Sequence, residues 1–485
     1  MQQLTSLDAQ FLNVESPTTV GHVGSLLLLD PSTAPDGDLS LDALRDVLEP
    51  RLHLAAPLRQ RLVMVPLGLG RPYWADDPDF DLEFHLRDIA LPGEGTEEQL
   101  GEQVARLHAR PLDRTRPLWE MYLIHNVAGG RSAIYSKVHH AAIDGVSGAE
   151  ILATIMDVSP EPREVDQPED AWSPGVLPSQ VEMLGKGMVQ AVRQPASLVR
   201  TLPKALPHLI DLPGAANVPG AKTISDVAAT MARLVGQSRG GDGERRRFET
   251  PRTPLNGPIT AHRRFSYGSL PLEEIKQVKN AFGMTVNDVV MTLCTSALRQ
   301  WLLDHDGLPA TPIVVAVPVS IRTEDEKGSG GNQISVMLAE MPTHLGDPME
   351  RLQFVQTSMA EAKAHFQAIP ATILQDLSAA LPTALNGLAT RSLFRLVTVP
   401  GLPFNLFISN VPGPQLPLYV AGASITGVYP VSAVTDLTGG LNITLFSYDG
   451  ALDFGLIACR ELVPDVWKLI GYLREALDEL LAQID

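Results

Sequence analysis

The stretch that sets the architecture is 120-EMYLIHNVAGGRSAIYSKVHHAAIDG-145. EMYLIHNV (120–127) and RSAIYSKVHH (131–140) are apolar runs carrying aromatic and β-branched residues. Ala128-Gly129-Gly130 between them reads as the turn of a hairpin. Side chains alternate along a strand, so Ile134, Ser136, Val138 and His140 share one face, and Ala133, Tyr135, Lys137 and His139 the other. The two histidines therefore point apart while the strand lasts. No neighbouring cysteine or carboxylate completes a tetrahedral set in zinc-motif spacing, so no metal is expected. Asp144 suits the cap of a helix starting near Val146, and Gly145 a tight turn before it.

The rest of the chain extends this pattern. At 485 residues it exceeds one comfortable core, which predicts two domains or a doubled fold. HVGSLLLLD (22–30) reads as a strand. Ser40 is placed to cap a helix running to about Leu52, and helical spacing recurs over 96–111. Residues 159–178 and 236–258 are Pro- or Gly-rich breaks enclosing a mostly helical, proline-interrupted segment. Beyond them, helices are expected at 271–282, 286–303, 348–368 and 464–482, and strands at 312–319, 333–341 and 404–410. LNITLFSYDGALDFGLIACREL reads as a second hairpin about Asp449-Gly450. The resulting division is 1–158, a bridge at 159–258, and 259–485.

Composition excludes several functions. Hydrophobic residues make up 44% and charged residues 19%, an ordinary globular balance. A net charge of −18 excludes nucleic acid as a main partner, because phosphate binding needs a positive footprint. Two cysteines, Cys294 and Cys459, supply neither a disulfide framework nor a cysteine zinc site. The N-terminus lacks the basic start and apolar core of an export signal. The charge-free run 396–435 holds six prolines, too many for a spanning helix, and reads as buried strands and loops. The expected location is the cytoplasm.

His139-His140-Ala-Ala-Ile-Asp144-Gly145 resembles the HHxxxDG signature of coenzyme-A-dependent acyltransferases, a superfamily that includes chloramphenicol acetyltransferase and condensation domains. The chain more closely resembles the bacterial wax ester synthase/diacylglycerol acyltransferase family. LDAQFLNVES with HVGSLLLL is similar to that family's opening. Pro117-Leu118-Trp119 matches its PLW element and Asn287-Asp288 its ND element. PVSIR (318–322), GN (331–332) and SNVPGP (409–414) follow in the same order. The resemblance implies an α/β fold of two chloramphenicol-acetyltransferase-like halves facing each other across a central channel. Acyl-CoA as co-substrate and diacylglycerol or a long-chain alcohol would enter from opposite sides. No cofactor is implied. The second histidine, His140, would be the general base.

The chemistry is consistent with that role. Acyl transfer from a thioester needs the alcohol proton removed as its oxygen attacks, and the thiolate leaves without a covalent acyl-enzyme. Ser147, in GVSGAE, is one residue short of a GxSxG elbow, which favours direct transfer in a ternary complex. Asp144 is expected to hold the loop through an ion pair with Arg322 rather than to complete a triad. The geometry the resemblance implies would have Gly145 leave room beside His140, besides serving as a turn glycine. Thr285-x-x-Asp288 reads as a capping box; the resemblance implies that Asn287 lies near the channel, where it would orient substrate or stabilise the oxyanion. Trp119 reads as a packing anchor. Transfer to another alcohol or amine, and a non-catalytic lipid-binding protein, are the alternatives the sequence leaves open. Residues 183–210 carry Lys186, Arg193, Arg200 and Lys204 with no acidic residue, and read either as a basic amphipathic membrane contact or as an inter-domain bridge.

Overall fold

The computed structural model describes the chain apart from residues 36, 69, 143–153, 169–173, 187, 189–249, 321–333, 368–403, 437 and 485. Asp144, Gly145, Ser147, Arg322, the helix expected from Val146 and all but five residues of 183–210 lie outside the described residues.

Among the described residues the strands are β1 (Gln2–Gln3), β2 (His22–Asp30), β3 (Gln60–Val63), β4 (Tyr73–Asp76), β5 (Leu86–Ala90), β6 (Trp119–Val127), β7 (Arg131–His139), β8 (Arg263–Pro271), β9 (Ile313–Ser320), β10 (Ile334–Met341), β11 (Leu406–Val411), β12 (Tyr419–Val420), β13 (Ala423–Val431), β14 (Leu441–Tyr448) and β15 (Ala451–Cys459). The α-helices are α1 (Ser6–Asn13), α2 (Leu41–Leu48), α3 (Leu82–His85), α4 (Glu97–His108), α5 (Leu272–Phe282), α6 (Val286–Asp304), α7 (Pro348–Gln367) and α8 (Trp467–Leu481). Local chemistry accounts for many of the ends. Ser40 accepts from the Ala43 N–H to start α2, and Pro50 lies in the 3₁₀ segment that follows. Thr96 and Gln99 form a capping box at α4. α5 stops at Gly283, whose φ of 65° is left-handed. Asp449-Gly450, with φ of 41° and 81°, turns β14 into β15.

Two six-stranded sheets organise these elements, in the orders β12-β13-β2-β7-β6-β5 and β10-β9-β11-β14-β15-β8. The first is built on the antiparallel pairs β6–β7 and β2–β7. In the second, β11 lies parallel to both β9 and β14. β13 comes from the C-terminal region yet pairs antiparallel with β2, in the N-terminal sheet. The charge-free run thus supplies strands to both sheets. Side chains of the second sheet reach the backbone of this crossover. The Val428 N–H donates to Asp453 Oδ2 at 2.7 Å. Tyr448 Oη accepts from the Leu418 N–H at 2.8 Å and donates to the Ile425 carbonyl at 3.1 Å. At Gly455 a Cβ would stand 1.8 Å from the Pro430 carbonyl oxygen, so β15 and β13 meet only because that position has no side chain.

One apolar core lies between the second sheet and α5–α8, around Trp301, Leu298 and Leu469. A second covers one face of the first sheet with Leu118, Trp119, Ile134 and Val138. A third holds α4 between the first sheet and β8, with Leu100, Val104, Tyr135 and Phe265 in contact. Among the described residues no single helix is long and apolar enough to cross a membrane. α5 and α6 pass by length only as a pair bent by 105°, and most of α6 is core.

Candidate active site

β7 ends at His139, one residue earlier than the hairpin reading gave, and His140 opens a short 3₁₀ turn, His140–Ala142. The ladder with β2 continues one bond further, from the His140 N–H to the Gly21 carbonyl at 2.8 Å, before the chain leaves the sheet. The alternation along β7 nevertheless separates the two rings. His139 lies on the side of Lys137 and Tyr135, with His22 as an edge-on neighbour at 6.5 Å between ring centroids. His140 lies on the Val138 side, stacked on Phe11 of α1 at 3.9 Å and 14°.

His139 is 1% exposed and has both ring nitrogens engaged. Nδ1 accepts from the Ala141 N–H at 3.1 Å, which places the ring proton on Nε2, where it donates to Glu15 Oε1 at 3.1 Å. Glu15 also accepts from the Gly21 N–H at 2.8 Å and from Arg114 Nη2 at 2.5 Å. Burial alone would raise its carboxyl. Its hydrogen bonds to His139, Arg114 and Gly21 outweigh that and hold it down at about 2. His139 is thus a ring locked in place by an ionised glutamate, not an open base.

His140 is electrostatically different. Burial drives its pKa down to about 4; the nearby His139 adds to the effect and buried Asp8 opposes it. At neutral pH the ring is uncharged.

The PLW element meets this strand end. The Leu118 carbonyl accepts from the His139 N–H at 2.9 Å, and Trp119 is the cross-strand partner of Val138. Pro117 and Leu118 are buried. Trp119, 2% exposed, donates from Nε1 to the Leu58 carbonyl at 2.9 Å and stacks on His85 at 4.4 Å. It is a packing anchor, as its sequence context suggested. On the opposite face Glu120 pairs with Lys137 at 3.2 Å, and the fully buried Lys137 ammonium also donates to the Leu107 and Arg110 carbonyls. That cation ties β7 to the C-terminal end of α4.

Asp288 behaves as a capping-box residue: its carboxylate accepts from the Thr285 N–H at 2.9 Å, and the Thr285 hydroxyl accepts from the Asp288 N–H at 3.1 Å. Asn287 beside it accepts at Oδ1 from Asn410 Nδ2 at 3.3 Å, which joins the ND and SNVPGP elements. The structure therefore brings Pro117, Leu118, Trp119, His139 and His140 together at one strand end, and Asn287 against Asn410. Glu15, Phe11 and Arg114 were not singled out from sequence as site residues. Phe11 and Glu15 lie in LDAQFLNVES, but Glu15 is 124 residues from His139, and no local pattern reveals that pairing. Among the described residues no group of three or more His, Cys, Asp or Glu is placed to hold a metal ion.

Two mixed sheets of this build define a condensation-domain-like, chloramphenicol-acetyltransferase-like α/β fold. The first condensation domain of the CDA synthetase aligns over 100% of this chain and 97% of its own with a TM-score of 0.53, at 16% identity, a likeness of fold alone. Family models narrow this further. The wax ester synthase/diacylglycerol acyltransferase catalytic domain matches residues 4–290 and the WS/DGAT C-terminal domain residues 330–481. A putative diacylglycerol O-acyltransferase of Mycobacterium tuberculosis is 34% identical over 99% of this chain and 90% of its own length. The O-acyltransferase WSD of Acinetobacter baylyi is 31% identical, covering 98% and 96%. The wax ester synthase/diacylglycerol acyltransferase of Marinobacter aquaeolei superimposes over all of both chains with a TM-score of 0.69 at 31% identity. The chain belongs to the wax ester synthase/diacylglycerol acyltransferase family of O-acyltransferases.

Proposed function

We propose that this enzyme transfers a long-chain acyl group from acyl-CoA to diacylglycerol, to a long-chain alcohol, or to both, with His140 as general base. The observation that carries the reading is the state of His140: a half-buried, neutral ring at a strand end, stacked on Phe11 and beside a His139 already committed to Glu15. In a ternary complex the acceptor hydroxyl gives its proton to the His140 ring as its oxygen bonds to the thioester carbonyl carbon. The tetrahedral intermediate collapses, the C–S bond breaks, and the coenzyme A thiolate leaves. The imidazolium returns the proton to that sulfur, which restores neutral His140. No acyl-enzyme forms.

Around this step, Asn287 donates to the developing oxyanion, with its amide oxygen occupied by Asn410. Asp144 pairs with Arg322 to hold the loop after the histidines, and Gly145 leaves space for the substrates. Residues 183–210 contact an anionic membrane or lipid-droplet surface, where insoluble acceptors collect. Of that segment, Lys186 pairs with Glu182 at 3.3 Å, and Met188 is 59% exposed. The acceptor reading is tested with labelled oleoyl-CoA plus diacylglycerol, hexadecanol or no acceptor. Ester formed with at least one acceptor, and lost in His140→Ala, is the expected result. Lipid binding without coenzyme A release would assign a binding protein instead.

A further inference from the structure

His140 is the first residue beyond the sheet, so the strand no longer dictates where its ring points. Its backbone N–H donates to the Gly21 carbonyl. The ring plane is set by a different element. Phe11, on α1, lies nearly parallel to it at 3.9 Å and 14°, covering one face. α1 is in turn anchored. Thr5 caps it by accepting from the Asp8 N–H, and Asp8, fully buried, receives the Thr5 hydroxyl. Asp8 precedes Phe11 by one helical turn, so the anchored carboxylate and the ring lie on the same side of α1. Glu15, just after the helix, locks the adjacent His139. One short segment, residues 5–15, thus presents a separate device to each histidine.

We propose that Phe11 is a positioning residue for His140, holding the imidazole plane toward the reacting hydroxyl and keeping water from one of its faces. The proposal rests on the general-base reading above. Stacking resists rotation of the ring about its last torsion, which an apolar side chain without a flat face does not do. Misorientation of a base by a fraction of an ångström slows proton transfer without weakening substrate binding. Among the described residues, the charged and titratable neighbours bearing on the ring are Asp8, from α1, and His139, from β7. Neither is altered by changing Phe11.

The test compares Phe11→Leu and Phe11→Tyr in the full-length enzyme, with a soluble acyl-CoA and a short alcohol. For Phe11→Leu we expect kcat to fall roughly tenfold or more with KM within about twofold, and the acidic limb of kcat/KM to move up toward the ordinary histidine range. Phe11→Tyr, which keeps the flat face, recovers most of that loss. An independent readout is the His140 ring resonance in histidine-labelled protein, assigned by its disappearance in His140→Ala. Its midpoint rises in Phe11→Leu. A folded Phe11→Leu enzyme with unchanged kcat, acidic limb and His140 midpoint overturns the proposal. If His140→Ala stays active, the general-base reading fails by itself, and the resonance still decides whether Phe11 holds the ring.

Discussion

At the scale of single residues, two adjacent histidines stand in different surroundings because a strand alternates and then stops. His139 has both nitrogens bonded inside the protein, whereas His140 stands at the exit. His140→Ala is expected to lower kcat by about 10²- to 10⁴-fold with little change in melting temperature. His139→Ala should do the reverse, losing about 1–3 kcal/mol of stability, since Glu15 keeps Arg114 and Gly21 but loses a buried donor. Rates and melting curves of the two variants check this, and equal losses of kcat in both would refute the division of labour. The pH profile is a second check. A base held at about 4 is active once neutral, so kcat/KM should persist through pH 6 and fall only toward pH 4–5. A limb centred near pH 6.5 would mean that the ring is solvated. The alternation that separates these rings was legible in the sequence; the anchoring of His139 by Glu15 was not, because it joins residues 124 positions apart.

At the scale of elements, local signals carried most of the reading. Ser40, Thr285-x-x-Asp288 and Asp449-Gly450 are short-range devices whose partners lie within about four residues, and each stands where its chemistry placed it. The run 396–435 was legible as buried strands and loops, but the place of its strand β13 in the first sheet was not. Its register with β2 is settled by residues about 400 positions away and by contacts with β15. Gly455 is the tightest of those contacts. A methyl group there meets the Pro430 carbonyl, so Gly455→Ala should separate β15 from β13 and cost at least the roughly 1–3 kcal/mol typical of overpacking. Denaturant unfolding measures it. Gly450→Ala is the control: a Cβ there meets nothing within 4 Å, so its cost comes from the positive φ alone. If Gly455→Ala is no worse than Gly450→Ala, the close approach of the two sheets does not constrain the fold.

For the whole molecule, the buried titratable groups pull stability in two directions with pH. Burial holds His22 at about 3 and His140 at about 4, and lowers His85 and His108 as well. The unfolded chain therefore takes up these protons first, and the stability present at pH 7 drains as pH falls below 6.5, by up to about 1.4 kcal/mol per pH unit for each histidine in its window. Glu15, held at about 2, adds its own loss once pH falls below its unfolded value of 4.5. Asp453 opposes them. Burial raises it from 3.8 to about 6, outweighing its bonds from Ser269 and the Val428 N–H. The folded protein takes up this proton first, so the cost of burying the carboxylate is present above pH 6 and is relieved as pH falls toward 3.8. Asp453→Asn removes only that relief. The variant should match or exceed wild-type stability at pH 8, by at most about 3 kcal/mol, and its advantage should shrink steadily between pH 6.5 and 4.5, giving a steeper acid loss than wild type. Melting temperatures across pH 8 to 4.5 decide it. Parallel curves would show that the carboxylate between the two sheets does not titrate in this range.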